Sequence, residues 1–268
     1  MQTVKAKAMK DLTEGKVYLI GAGPGDPELL TLKALRLLQS ADVIVYDRLV
    51  SPEIMSLIPR GARLIDVGKM PKCHKVPQDQ INTILVQEAN RGLCVVRLKG
   101  GDPLIFGRGS EEAAELRLHG IAVEYVPGIT SAQGAACSTG VPLTHRGLAT
   151  SVRYVTGHRA KDATLDLDWA SLANQDTTLV VYMGAMNMEE IAGELISHGL
   201  PASIPAMAIA SATTPREQRL VSTLGQLSGA LDRSDLIAPI LVVIGHVVSL
   251  YPDVVAAHAT QEAVAAYA

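Results

Sequence analysis

The chain has 268 residues, of which 48% are hydrophobic and 19% charged, the balance of a folded protein rather than a disordered one. Its formal net charge of −3 argues against a general nucleic-acid binder, which carries a basic excess. Cys73, Cys94 and Cys137 form no CxxC pair and no HExxH occurs, so neither a disulfide framework nor a metal site is expected. Residues 1–15 lack the apolar core of a secretion signal, and no apolar run reaches the roughly 20 residues of a membrane span. A cytoplasmic protein with no membrane attachment is the expectation.

In chain order, the apolar run Lys16–Gly21 predicts a buried strand, stopped by glycine. Thr31 to Gln39 predicts a helix with Thr31 as N-cap and Leu32, Leu35 and Leu38 on its inner face. Val43–Tyr46 predicts a second strand ending at Asp47-Arg48, Pro52–Ile58 a short helix and Arg63–Val67 a third strand. Residues 68–77 form a basic loop without periodicity; Gln78–Asn90 is helical, with Gly92 as its stop. The run from Val95 predicts a strand, a glycine-rich loop and a helix from Ser110 to His119, with Ser110 as N-cap; Ala122–Val126 is the next strand.

Pro127-Gly128 is a natural break, after which Thr130–Ser138 is expected to be helical. Further strands are expected at Val152–Thr156, Thr178–Met183, Ala206–Ala210, Arg219–Thr223 and Ile240–Ile244, with a helix at Met188–His198 and Gly225 closing the run from Arg219. The expected division is a tail at 1–14, an N-terminal α/β domain at 15–128, a C-terminal α/β domain at 129–250 and a tail or weak helix at 251–268. Continuously apolar strands alternating with helices describe a largely parallel, doubly covered sheet in the first half, and closely spaced strands imply some antiparallel pairing in the second. The segments 115–120 and 194–199 both end in His-Gly, which suits a helix C-terminus.

Two glycine loops invite a ligand. Gly21-Ala-Gly-Pro-Gly-Asp-Pro27 approaches the dinucleotide fingerprint, but Asp26 stands in place of its last glycine, and Pro24 and Pro27 remove backbone donors a pyrophosphate would need. Gly68-Lys69 fails as a phosphate-binding loop because Met70 follows. In Lys99-Gly-Gly-Asp-Pro103 the paired glycines permit close backbone approach, and the same loop carries Phe106, the only phenylalanine of the chain. Beyond it, Glu111 and Glu112 favour a positive helix end, whereas capping does not explain Arg108.

These segments, with Val45-Tyr-Asp-Arg-Leu-Val50, Val96-Arg-Leu-Lys-Gly-Gly-Asp-Pro103, Phe106-Gly-Arg-Gly-Ser-Glu-Glu112, Val126-Pro-Gly-Ile-Thr-Ser131 and Gly140-Val-Pro-Leu-Thr-His-Arg146, resemble the tetrapyrrole methylase family. The second half matches more thinly, at Gly157-His158, Val181-Tyr-Met-Gly184 and Ser211–Thr214. The resemblance implies two α/β domains with the active site in the cleft between them, S-adenosylmethionine as methyl donor, a tetrapyrrole as acceptor and a homodimer. It implies cofactor contacts at Pro24, Gly100, Gly101, Asp102, Ile105, Thr130, Ser131, Met183 and Ala212, and an acid–base pair at Asp47 and Lys69. Some members are fused to a dehydrogenase–ferrochelatase portion, and the short stretch ahead of the first strand leads us to expect the methyltransferase alone.

A reduced macrocycle bearing eight carboxylates calls for clustered cations, and arginine suits two-point carboxylate recognition best. Arg108 is the candidate for a substrate or catalytic role, with Arg48, Glu111, Arg146 and His158 as further substrate contacts. Asp47 could instead pair locally with Arg48, and Lys69 could be merely solvated. Other expectations remain open: a corrin-pathway or diphthamide methyltransferase of the same fold, an NAD-dependent oxidoreductase, and a non-catalytic tetrapyrrole-binding module.

Overall fold

The computed structural model describes residues 15–68, 76–158 and 165–253. The chain divides into two compact units, Met1–Ser131 and Ala132–Ala268.

In the first unit β1 (Lys16–Gly21), β2 (Val43–Tyr46), β3 (Arg63–Asp66), β4 (Val95–Lys99) and β5 (Ala122–Val126) form one sheet in the order β3-β2-β4-β1-β5. Every pairing is parallel. The alternation of side chains along each strand feeds two separate cores. Tyr18, Ile20, Ile44, Val96 and Leu98 pack with α1 (Leu32–Leu38) and α2 (Pro52–Met55). Val17, Leu19, Val43, Val45 and Val95 pack on the other face with α3 (Gln78–Ala89) and α4 (Gly109–Leu118). The connections from β1 and from β4 therefore leave for opposite faces. These two strands are neighbours at the sheet centre, so their C-terminal ends form a topological switch point, where open α/β sheets bind ligands.

Two local expectations for this unit are corrected. Thr31 does cap α1, accepting from Ala34 N at 3.1 Å, but Leu32 is 87% exposed and the buried face is Ala34, Leu37 and Leu38. Steps of three residues drift around a helix by about 60° each, whereas spacings of three and four keep to one face. At α4 the N-cap position belongs to Arg108, at φ 57°, not to Ser110. Gly109 pins the helix start: its N–H donates to Pro103 O at 3.0 Å, and a Cβ there would lie 2.6 Å from that oxygen.

The second unit contains α5 (Ser131–Thr139), β6 (Ser151–Thr156), α6 (Trp169–Leu172), β7 (Thr177–Tyr182), α7 (Met188–Ser197), β8 (Pro205–Ala210), β9 (Gln218–Thr223), α8 (Leu224–Asp232) and β10 (Ile240–Ile244). The sheet order is β6-β7-β10-β8-β9; β6 and β7 are parallel and the other pairs antiparallel, the mixed pairing expected. Leu179 and Val181 meet Met188, Ile191 and Leu195 of α7 and Leu224 and Leu227 of α8. Val180, Met207 and Val243 pack with Ala132 and Ala135 of α5. The run from Arg219 closes at Thr223, just ahead of Gly225, but an unexpected helix, α8, follows it; Gly225 lies in its first turn, where an added Cβ would stand 3.1 Å from Ala202 Cβ.

Both His-Gly segments are helix ends. The imidazole Nδ1 of His119 lies 3.0 Å from Glu115 O and that of His198 2.8 Å from Glu194 O, with Gly120 and Gly199 following at positive φ. The expected C-terminal tail or weak helix from Val254 onward lies outside the described residues. Among the described residues no helix is long and apolar enough to cross a membrane.

Candidate active site

Three glycines bring the ends of β1, β4 and β5 into backbone contact. A Cβ on Gly21 would lie 2.5 Å from Gly101 O and from Gly128 N. A Cβ on Gly128 would lie 2.2 Å from Gly101 O. Gly23 and Gly101 exchange two backbone hydrogen bonds, Gly23 N to Gly101 O at 3.1 Å and Gly101 N to Gly23 O at 2.7 Å. Asp102 locks the junction, accepting from Leu104 N at 2.8 Å through Oδ1 and from Gly128 N at 3.1 Å through Oδ2. Gly101 is at φ 65°, and the Cβ it lacks would be in ordinary contact with Ser131 Oγ at 3.5 Å and Thr130 Cα at 3.9 Å. The structure thus gathers Gly100, Gly101, Asp102, Thr130 and Ser131 at the switch point, with Pro24 in the loop just beyond Gly23.

The backbone itself carries strain at the expected ligand loops. Among the described residues, the non-glycine residues at positive φ are Phe106, Arg108, Met183, Ser211 and Thr213. Each such position is costly, and they concentrate where a ligand or a catalytic geometry must be served. Phe106 and Arg108 follow β4, beside Ile105, whose side chain is exposed with those of Leu104 and Phe106. In the second unit Met183 follows β7 and Ser211-Ala212 follows β8. Since β6, β7 and β8 run in one direction, Met183, Ala212 and His158 lie on one edge of that sheet. Gly157 and Gly184 are in close backbone contact there: a Cβ on Gly157 would lie 2.4 Å from Gly184 Cα.

The first loop is not built for a pyrophosphate. Asp26 accepts from Glu28 N at 2.9 Å and caps a single 3-10 turn at Pro27–Leu29, while the α-helix opens only at Leu32. A ligand without a phosphate, such as a methyl donor with a nucleoside and an amino-acid end, needs no helix N-terminus beneath it.

Asp47 stands at the C-terminal end of β2. Its Oδ1 accepts from Leu49 N at 3.0 Å, and its ion-pair partner is Arg97 (Nη2 to Oδ2, 3.4 Å), not the neighbouring Arg48. Arg97 continues into the core, donating through Nε to Glu112 Oε1 at 3.2 Å, and Lys99 Nζ meets the same oxygen at 2.9 Å. Gln78 Nε2 donates to it as well, at 3.2 Å. Glu112, read from the sequence as favouring the positive helix end, is fully buried, and its Oε2 has no partner among the described residues. Burial, and then the adjacent Arg97 cation, hold the Lys99 ammonium below its ordinary value, against the pull of Glu112. Arg97, Lys99 and Glu112 were not among the expected site residues. The signal for them is two cations two residues apart in a buried strand, hence on one face, opposite an acid on the inner side of α4.

Lys69, the other half of the expected acid–base pair, lies outside the described residues. Arg108 and Glu111 form a two-point pair, Nε to Oε1 at 3.0 Å and Nη2 to Oε2 at 2.7 Å, with both side chains 54% exposed. That bonding raises Arg108 and holds the Glu111 carboxyl below its ordinary value. Arg48, Arg146 and His158 are exposed, Arg146 within the tight turn closed by the His145–Ala149 backbone pair.

A family model described as tetrapyrrole (corrin/porphyrin) methylases matches residues 16–228. A uroporphyrinogen-III C-methyltransferase of Paracoccus denitrificans is 62% identical over 239 residues, covering 89% of this chain and 83% of that protein. A siroheme synthase of Azotobacter vinelandii is 53% identical over 236 residues, and the match takes in 88% of this chain but only 51% of that longer protein. Among solved structures, the uroporphyrin-III C-methyl transferase of Thermus thermophilus complexed with S-adenyl homocysteine superposes with a TM-score of 0.77 at 41% identity, over 88% of this chain and 100% of that one. The chain belongs to the tetrapyrrole methylase family.

Proposed function

We propose that this protein transfers two methyl groups from S-adenosylmethionine to carbon atoms of uroporphyrinogen III, on rings A and B, giving precorrin-2. The observation that carries the reading is the glycine cradle at Gly21, Gly101 and Gly128, set in a chain 62% identical to a relative named for that activity.

S-adenosylmethionine, when bound, supplies an electrophilic methyl group to an electron-rich pyrrole carbon. Pro24, Gly100, Gly101, Asp102, Ile105, Thr130, Ser131, Met183 and Ala212 hold the donor, largely through backbone. Ile105, with Leu104 and Phe106, supplies apolar surface that keeps water from the sulfonium. The main task of these residues is near-attack geometry. The carbon that is methylated becomes quaternary, and the resulting cation loses a proton elsewhere in the macrocycle. Asp47 accepts that proton: its carboxylate is partly exposed and held by Leu49 N and Arg97. Lys69 orients a substrate carboxylate or returns a proton. Arg108 provides a planar fork for the carboxylate-bearing side chains, Glu111 holds that fork in place, and Arg48, Arg146 and His158 supply further contacts. The working unit is a cytoplasmic homodimer.

Anaerobic incubation with labelled S-adenosylmethionine and uroporphyrinogen III tests the reading. The expected product carries two labelled methyl groups. Its absence from folded protein that binds S-adenosylhomocysteine would overturn the assignment.

A further inference from the structure

Arg97 occupies a position that the sheet would fill more cheaply with an aliphatic side chain. It is in register with Leu19 of β1 on one side and Val45 of β2 on the other, on the face covered by α3 and α4. Burying a guanidinium there carries a desolvation penalty that leucine or valine would avoid, so packing alone does not account for it.

Each of its three nitrogens has a partner, and four of its five N–H donors are engaged. Nη1 bonds Leu98 O at 3.1 Å and reaches Val45 O at 3.5 Å, Nε bonds Glu112, and Nη2 meets Asp47. Charges alternate along the series Asp47, Arg97, Glu112, Lys99, and only one end is open. The side chain of Asp47 is 24% exposed, against 3% for Arg97, 6% for Lys99 and none for Glu112. With Oδ1 tied to Leu49 N and Oδ2 to Arg97, the carboxylate is held at two points while keeping lone pairs for a third partner.

We infer that Arg97 is a positioning residue for Asp47: anchored in the core by Glu112, its guanidinium fixes the direction in which the Asp47 carboxylate meets the macrocycle. The inference rests on the proton-accepting role proposed for Asp47 and extends it to a residue that never touches substrate. A planar fork is essential to it, because a lysine at this position reaches one partner as a point charge and cannot hold Asp47 and Glu112 together.

Arg97→Lys keeps the charge and removes the fork. The full-length protein carrying it is expected to lose at least tenfold in kcat, with KM for uroporphyrinogen III and the dissociation constant of S-adenosylhomocysteine each within about threefold of the wild type. In an Asp47→Asn background the same substitution should cost no further turnover, since Arg97 acts only through Asp47. A wild-type kcat in Arg97→Lys, a loss confined to KM or to cofactor binding, or an equal loss in the Asp47→Asn background would each overturn the inference. Asp47→Asn turning over at the wild-type rate would remove the role of Asp47 itself, and this inference with it; a slow Asp47→Asn with additive Arg97→Lys leaves that role standing and removes only the inference.

Discussion

The Cβ that Gly128 lacks would stand 2.2 Å from the carbonyl oxygen of Gly101 and 2.8 Å from Gly21 Cα. Every atom in its way is backbone, at the ends of the three strands that build the cradle, so no side chain can turn aside. Gly128→Ala is expected to destabilise the protein by about 3 kcal/mol through overpacking. It should also weaken S-adenosylhomocysteine about tenfold or more, each tenfold being about 1.4 kcal/mol. Gly92→Ala is the contrasting case: φ is 74° but an added Cβ meets nothing within 4 Å. It should cost about 1 kcal/mol in backbone strain and leave affinity unchanged. Urea unfolding and calorimetric titration of both variants check the pair.

Much of the architecture is legible in the chain because parallel strands buried on both faces are written as unbroken apolar runs, as at Val43–Tyr46 and Val95–Val96. Turn glycines mark the ends of these elements. What escapes is whatever depends on the third dimension. The inward face of α1 is chosen by what lies beneath it, so small Ala34 is buried and large Leu32 is not. Helix α8 contains Gly225, which reads as the stop of the run from Arg219, yet Leu224 and Leu227 anchor it to the core against α7. The site divides in the same way. The glycine loops declare themselves by composition, whereas the partner of Asp47 is 50 residues away on the adjacent strand and looks from the sequence like a stray charge in a strand.

Asp102 is the polar counterpart of the glycine junction. Removing its carboxylate in Asp102→Ala breaks bonds of 2.8 and 3.1 Å; the exposed Leu104 N–H turns to water, whereas the part-buried Gly128 N–H loses its partner. An unsatisfied donor of this kind costs about 2 kcal/mol of stability, read as the urea midpoint. The affinity for S-adenosylhomocysteine should fall with it, because the loop proposed to contact the methyl donor loses its tether. Asp102→Asn offers an oxygen to one donor but presents its own N–H groups to the other, so it should lie between the wild type and Asp102→Ala. An Asp102→Asn protein weaker than Asp102→Ala would contradict this account of the loop.

Arg108 and Glu111 separate stability from function. Their pair is two-point but more than half exposed, and solvent screens it. Arg108→Ala should consequently change the urea midpoint by an amount equivalent to less than about 0.5 kcal/mol. If the guanidinium binds substrate carboxylates, kcat/KM should fall by about tenfold to a hundredfold, the worth of a charged hydrogen bond, while S-adenosylhomocysteine binding stays as in the wild type. Turnover at the wild-type rate would return Arg108 to the role of a surface ion pair and leave its positive φ without a functional reason.

Glu124 sets an acid limb of stability outside the site. Hydrogen bonds from Lys16 and then Lys33 hold its carboxyl below the ordinary value of 4.5, outweighing the opposing effect of partial burial. A carboxyl whose value is lower in the folded than in the unfolded chain releases its proton more readily on folding. Its contribution is therefore complete above pH 4.5 and is lost as the pH falls through the folded-state value. With Lys33 half-exposed, the contribution is about 1 kcal/mol or less. Glu124→Gln should lower the urea midpoint at pH 7, and the gap to the wild type should narrow progressively as unfolding is followed downward from pH 4.5. A gap that stays constant over that range would mean that Glu124 acts through packing rather than through its charge.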